Sequence, residues 1–228
     1  MSIDRDACMV RENKSKKLPP NLRYLFQVMV VLLAIGLLIS AASIPFVYQS
    51  TTMWYKFGFA RTLLYTGKVV GILTATLLFL QILLVANLKV LTTVFSQAQL
   101  FRQHKINGTL IAGLAIAHPF LVIASEGFTV PALERKSWPE FIGFLLLLFI
   151  WLIFTTSQWR ILFRLSFQSW RLLHRVTVLV AVFLLGLHVL FVSDSFQSGR
   201  LPHYAVFTAL GLFLIIWLRI RFLPLFKR

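Results

Sequence analysis

Six uninterrupted apolar stretches constrain the fold of this chain more than any other feature. A helix needs about 20 apolar residues to cross the hydrocarbon core of a bilayer, and each stretch approaches that length without amphipathic spacing. Only 13% of the 228 residues are charged, whereas about a quarter are charged in a typical soluble domain. We therefore predict an all-α polytopic membrane protein, a six-transmembrane-helix bundle with spans at residues 24–46, 59–86, 106–124, 139–156, 172–193 and 205–222.

The basic residues predict the orientation of this bundle. Lys and Arg number 17 in the N-terminal segment, the second and fourth connections and the C-terminus, but only five in the other connections. Positively charged connections stay in the cytoplasm. We therefore expect both termini there, in a multi-pass protein of the cell membrane (the inner membrane if the source is bacterial). The basic residues form no aromatic-and-basic face, so the expected partner is membrane lipid and not nucleic acid.

The predicted organisation has three parts. Residues 1–23 form a basic, flexible cytoplasmic tail, residues 24–223 form the transmembrane domain, and residues 224–228 form a cytoplasmic C-terminal end. The charged segment and the first apolar run are both too long for a cleaved signal peptide. Cys8 is the only cysteine, which excludes an internal disulfide and a Cys-ligated zinc or iron–sulfur centre. No glycine-rich nucleotide-binding loop occurs either.

Four of the five histidines recur at one interval in two apolar stretches. "RQHKINGTLIAGLAIAHPF" places His104 and His118 fourteen positions apart, and "WRLLHRVTVLVAVFLLGLHVLF" does the same with His174 and His188. Fourteen residues of α-helix return to within about 40° of the starting direction and advance about 21 Å. The third and fifth spans run in the same direction. If they are neighbours, His104 lies level with His174 (the inner pair, on the cytoplasmic side) and His118 with His188 (the outer pair).

Two imidazoles that face each other suit the axial positions of a haem iron. Zinc would need four N or S ligands, and the spans hold almost no carboxylates for a hard cation. A single histidine in a membrane helix is often only an interhelical hydrogen-bonding residue, but two equally spaced pairs favour a cofactor. We expect Gly108 and Gly113 to let a flat macrocycle approach the backbone. Basic side chains near the inner pair are expected to contact haem propionates: Arg102, Lys105 and Arg175.

The two histidine segments resemble the ferric reductase-like transmembrane domain family, which includes ferric-chelate reductases and the haem domain of NADPH oxidases. The six spans and the basic N-terminal tail also match, over about residues 24–223. The resemblance implies two b-type haems, with His104 and His174 on the inner haem iron and His118 and His188 on the outer one. A more distant resemblance is to the haem subunit of the bacterial methionine sulfoxide reductase system.

The same resemblance implies an oxidoreductase that passes electrons outward from a cytoplasmic FAD or FMN. Family members usually continue into a flavin- and NAD(P)H-binding domain, whereas this sequence ends at "RIRFLPLFKR". The expected donor is therefore a flavoprotein reductase on a separate chain or on an absent domain. Ferric iron, oxygen and a redox protein all remain possible acceptors. Two alternatives also stay open: a haem b membrane-anchor subunit of a quinone-linked respiratory complex, and a haem-free small transporter with structural histidines.

Several residues outside the histidine pairs are also expected to have structural or functional roles. Arg61 and Lys68, one above the other in the second span, either contact the outer haem or an acceptor, or extend toward lipid headgroups. Gly67 and Gly71 are expected to allow close helix packing. A basic stripe at the fourth connection either meets anionic lipid or docks a donor: Arg160, Arg164, Arg171 and Arg175. Acidic residues expected near His203 form either an acceptor site or ordinary polar loops: Glu126, Glu134, Glu140 and Asp194.

Overall fold

The computed structural model describes residues 19–129, 134 and 137–222 and contains helices but no strand within them. Six of the helices are long and apolar enough to cross a membrane, which confirms the predicted all-α, six-span bundle. The helices are α1 (Pro20–Val47), α2 (Gly58–Val85), α3 (Lys89–Val94), α4 (Gln97–Ser125), α5 (Trp138–Gln158), α6 (Phe167–Val192) and α7 (Leu201–Phe222).

The helices begin earlier than the apolar runs alone predict. The predicted third span begins at residue 106, but α4 begins at Gln97, because Ser96 and Gln99 form a reciprocal capping box. Likewise α6 begins at Phe167 and not at residue 172, because the Ser166 side chain accepts a hydrogen bond from the Ser169 amide. His104 and His174 therefore lie within regular helix, several residues from its start.

At the N-terminus, helical structure begins within the predicted tail. The predicted tail covers residues 1–23, but α1 begins at Pro20, where proline suits the first helical position. Residues 1–18 and 224–228 lie outside the described residues.

The short helix α3 was not predicted. Its last residue, Val94, accepts hydrogen bonds through its carbonyl oxygen from Arg23 Nε (2.8 Å) and Gln27 Nε2 (2.9 Å) of α1.

Two helix pairs organise the bundle. The most extensive packing joins α2 to α4 and α5 to α6, and α4 also packs against α5; α1 lies against α2, and α7 against α6. A small apolar core lies where α4, α5 and α6 meet: Ile111, Ala115, Leu146, Ile150, Ala181 and Leu184. Large apolar side chains elsewhere, such as Leu33 and Ile39 of α1, remain exposed, as expected for helices surrounded by lipid.

Candidate functional site

The outer pair consists of two imidazoles that are each anchored to a neighbouring helix. His118 Nδ1 lies 2.8 Å from the Gly67 carbonyl oxygen of α2, and His188 Nδ1 lies 2.8 Å from the Pro139 carbonyl oxygen of α5. A carbonyl oxygen can only accept, so each Nδ1 carries the proton and each neutral ring keeps its lone pair on Nε2. The two ring centroids are 6.2 Å apart, with the planes at 75°.

Glycines seat both rings of the outer pair. A Cβ atom on Gly71 would lie 2.7 Å from Cε1 and Nδ1 of His118, and one on Gly143 would lie 2.6 Å from Cε1 of His188. Each glycine follows the accepting carbonyl by one helical turn. Because these residues have no side chain, each imidazole can rest on the backbone and reach that carbonyl. Gly71 was predicted only as a packing residue, and Gly143 was not predicted at all.

His104 of the inner pair belongs to a polar contact between α2 and α4. Gln81 Nε2 donates to the His104 carbonyl oxygen (2.8 Å), and His104 Nδ1 lies 3.4 Å from the Gln81 carbonyl oxygen. Asn107 Nδ2 donates both to Gln81 Oε1 (2.8 Å) and to the Leu77 carbonyl oxygen (3.0 Å). The ring contact is longer than an ordinary hydrogen bond, so the ring of His104 is held less tightly than those of the outer pair.

His174 of the inner pair contacts α5 and an aromatic neighbour. Its Nδ1 lies 3.3 Å from Ser157 Oγ, which donates its own proton to the Ile153 carbonyl (2.6 Å) and so can accept from the ring. The Trp170 ring lies 5.5 Å from the His174 ring, and Trp170 Nε1 is buried with no hydrogen-bond partner among the described residues. His104 is close enough to His174 to interact with it electrostatically.

The two pairs lie at separate levels with apolar side chains between them. Ile111 stands seven residues from both histidines of α4, Ala181 stands seven from both histidines of α6, and both belong to the buried core. The levels are about 21 Å apart along the helices. In the described part of the chain, no three His, Cys, Asp or Glu side chains form a group that could hold a metal ion. The arrangement is thus two separate pairs of imidazoles.

The two glycines predicted to border a macrocycle do not contact the histidine rings. A Cβ on Gly108 would lie 3.1 Å from Gln81 Nε2, so this glycine makes room for the Gln81 side chain. Gly113 is exposed with nothing near its Cβ position, and five residues of helix place it about 140° around α4 from His118. Gly113 therefore does not contact the His118 ring, and its approach to a macrocycle stays a prediction.

The basic residues predicted to contact a haem or an acceptor differ in their surroundings. Arg102, Lys105 and Arg175 are exposed, close in sequence to the inner pair. Arg61 is exposed, and its guanidinium lies 5.8 Å from the centre of the Tyr65 ring. Lys68 Nζ donates hydrogen bonds to the hydroxyls of Ser50 and Thr52, so it ties the segment between α1 and α2 to the bundle. Contact of Arg61 or Lys68 with an acceptor or with the outer haem stays a prediction.

Two of the acidic residues expected near His203 have partners of their own, and a cluster of all four there stays a prediction. Glu126 pairs with Lys56 (2.6 Å), and Asp194 accepts a hydrogen bond from the Thr51 hydroxyl (2.5 Å). That hydroxyl holds the pKa of Asp194 below its usual range, and the Thr51 amide, Arg200 and Lys68 act in the same direction. His203 Nδ1 lies 2.9 Å from the Phe196 carbonyl oxygen. Glu140 lies instead within electrostatic range of His188.

Comparison with known proteins places this arrangement in a family. Residues 70–185 match the family model described as ferric reductase like transmembrane component. The matched segment runs from α2 into α6, covers just over half of the chain, and includes His104, His118 and His174. Searches of curated proteins and of solved structures give no match. The chain belongs to the ferric reductase-like transmembrane component family and is, at that level, a multi-pass membrane oxidoreductase.

Proposed function

We propose that this protein carries electrons across the membrane through two b-type haems. His104 and His174 ligate the inner haem iron, and His118 and His188 ligate the outer one. When bound, haem supplies a one-electron couple whose potential depends on ligation and surroundings. The chain supplies the ligands, their orientation and an apolar medium.

The outer pair is the observation that carries this proposal. Metal–imidazole bonds are about 2.0–2.1 Å long for zinc, and a ring centroid lies about 1.2 Å behind its nitrogen. Two rings that face each other across one ion would therefore have centroids roughly 6.4 Å apart. His118 and His188 have centroids 6.2 Å apart. Both keep the Nε2 lone pair available, because their Nδ1 protons are donated to backbone carbonyls. Such hydrogen bonds orient ligating histidines in metal sites generally.

The residues around the inner pair suit a cofactor with anionic groups. The buried Trp170 Nε1–H is a donor without a partner in the described part of the chain, and such groups in native structures call for an explanation. Exposed cationic side chains stand close by in sequence: Arg102, Lys105 and Arg175. Propionates that point toward the cytoplasmic end would meet these donors. Gly108 supports this site indirectly, because it allows Gln81 to contact His104.

The direction of transfer follows from the predicted orientation. Electrons enter at the inner pair, from a flavin (FAD or FMN) on a separate flavoprotein reductase or on a domain outside this sequence. They leave at the outer pair, toward an external acceptor such as ferric iron, oxygen or a redox protein. Arg61 and Lys68 lie at the outer end, where an anionic acceptor would approach.

The test is a reduced-minus-oxidised absorption spectrum of the purified protein with haem quantified per chain. We expect about two haems per chain, falling to about one in His188→Ala and in His174→Ala. His203→Ala is the matched control, because His203 belongs to neither pair and contacts the Phe196 carbonyl. Colourless protein from haem-replete cells would overturn the proposal, as would an equal loss of haem in His203→Ala.

A further inference from the structure

Glu140 is a carboxylic acid beside the outer pair whose environment no part of the proposed electron path explains. It lies in the first turn of α5, directly after Pro139, whose carbonyl anchors His188, and one turn before Gly143, which seats the same ring. Its Oε2 atom is buried and has no hydrogen-bond partner among the described residues. It lies within electrostatic range of His188.

Two other acidic residues at this end of the bundle have side-chain partners, unlike the Oε2 atom of Glu140. Glu126 forms an ion pair with Lys56, and Asp194 accepts a hydrogen bond from Thr51. A buried oxygen without a partner costs free energy of folding, so a residue that keeps one next to a functional group calls for a reason. The start of a helix stabilises a negatively charged side chain. The first turn of α5 therefore places an acidic side chain beside His188 whose Oε2 has no hydrogen-bond partner among the described residues.

We propose that Glu140 lowers the reduction potential of the outer centre; this rests on the proposed function. Ferric haem carries one more positive charge than ferrous haem, so a nearby carboxylate stabilises the ferric form. A lower potential makes the reduced outer centre a stronger reductant toward the external acceptor. Glu140 is then a tuning residue that acts through the field at the His188 side and touches neither the iron nor the acceptor.

The experiment is a redox titration of the haem-loaded protein, followed by absorbance. The outer couple is assigned as the one lost in His188→Ala. We expect Glu140→Gln, which removes the charge and keeps the shape, to favour the reduced outer centre about tenfold, an upward shift of about 59 mV for one electron. Glu126→Gln removes one negative charge at an exposed position, where solvent and salt screen it, and should leave both couples unchanged.

A second variant separates charge from structure. Glu140→Asp keeps the charge and should leave the outer couple near its original potential, which supports the proposal even if Glu140→Gln fails to retain the outer haem. The inference is overturned if Glu140→Asp shifts the couple as far as Glu140→Gln, or if Glu140→Gln binds two haems with unchanged potentials. Protein without any haem couple refutes the proposed function itself, and this inference with it.

Discussion

A single methyl group placed beneath either ring of the outer pair should displace that ring. In Gly71→Ala the new Cβ would lie 2.7 Å from the His118 ring, and in Gly143→Ala it would lie 2.6 Å from the His188 ring. Ordinary van der Waals contact begins at 3.4 Å, so each ring must retreat by about 0.7–0.8 Å. A retreat of that size removes the 2.8 Å hydrogen bond that fixes Nδ1.

The magnitude combines two terms. Overpacking a well-packed site costs about 1–3 kcal/mol, and a lost hydrogen bond costs about 0.5–1.5 kcal/mol. Their sum is about 1.5–4.5 kcal/mol, which corresponds to roughly 10- to 1600-fold weaker binding of the outer haem at 1.4 kcal/mol per tenfold change. Gly113→Ala is the matched control on α4. Its Cβ meets nothing within 4 Å, so it should leave the rings of the outer pair in place and stabilise the helix by up to about 1 kcal/mol.

The assay is haem content per chain after dilution into haem-free detergent, with helix content followed by circular dichroism. Gly71→Ala and Gly143→Ala should each lose the outer haem and keep the inner one while remaining helical. The reasoning is refuted if both variants retain two haems with an unchanged spectrum, or if Gly113→Ala loses haem as readily as they do.

Two further predictions concern the inner pair and the outer loops. Asn107→Leu removes the hydrogen bonds to Gln81 and to the Leu77 carbonyl. We expect about 1 kcal/mol lower stability and preferential loss of the inner haem. Equal loss of haem from both sites would contradict the role of this contact. The lowered pKa of Asp194 stabilises the folded state above the unfolded pKa of about 3.9, and this contribution is lost as the pH falls through the folded value. Thermal unfolding between pH 3 and 6 should therefore depend less on pH in Asp194→Asn than in the unsubstituted protein; identical profiles would exclude this contribution.

The number of spans and the register of the histidines were predictable because both follow from simple helix geometry. Apolar length gives the spans, and a fourteen-residue interval keeps two side chains near one face. The early starts of α4 and α6 were also readable, since Ser96 with Gln99 is a capping-box pattern and Ser166 is a favoured N-cap residue. The apolar runs alone do not show where these two helices begin.

The neighbours of each histidine could not be predicted in the same way. The contacts of Pro139 and Gly143 with His188, and of Gln81 with His104, depend on which helices lie side by side. A periodic pattern shows which face of a helix is distinctive but does not identify the helix that covers it. Gly113 is a different case, because helical arithmetic alone places it away from the His118 ring.

The pattern of helix packing explains how the two outer histidines are oriented by backbone carbonyls. The two helices that carry the paired histidines each pack most closely with a helix that has no histidine, α4 with α2 and α6 with α5, and the ring nitrogens contact that partner. The extensive interfaces within each pair therefore set the ring orientation, whereas the apolar core between α4, α5 and α6 sets the distance between the two halves. Substitutions in α2 or α5 should consequently change the orientation of the histidine rings of α4 or α6 without removing those histidines. Gly71→Ala and Gly143→Ala test directly whether the partner helix sets the ring orientation, because each substitution displaces a ring that another helix carries.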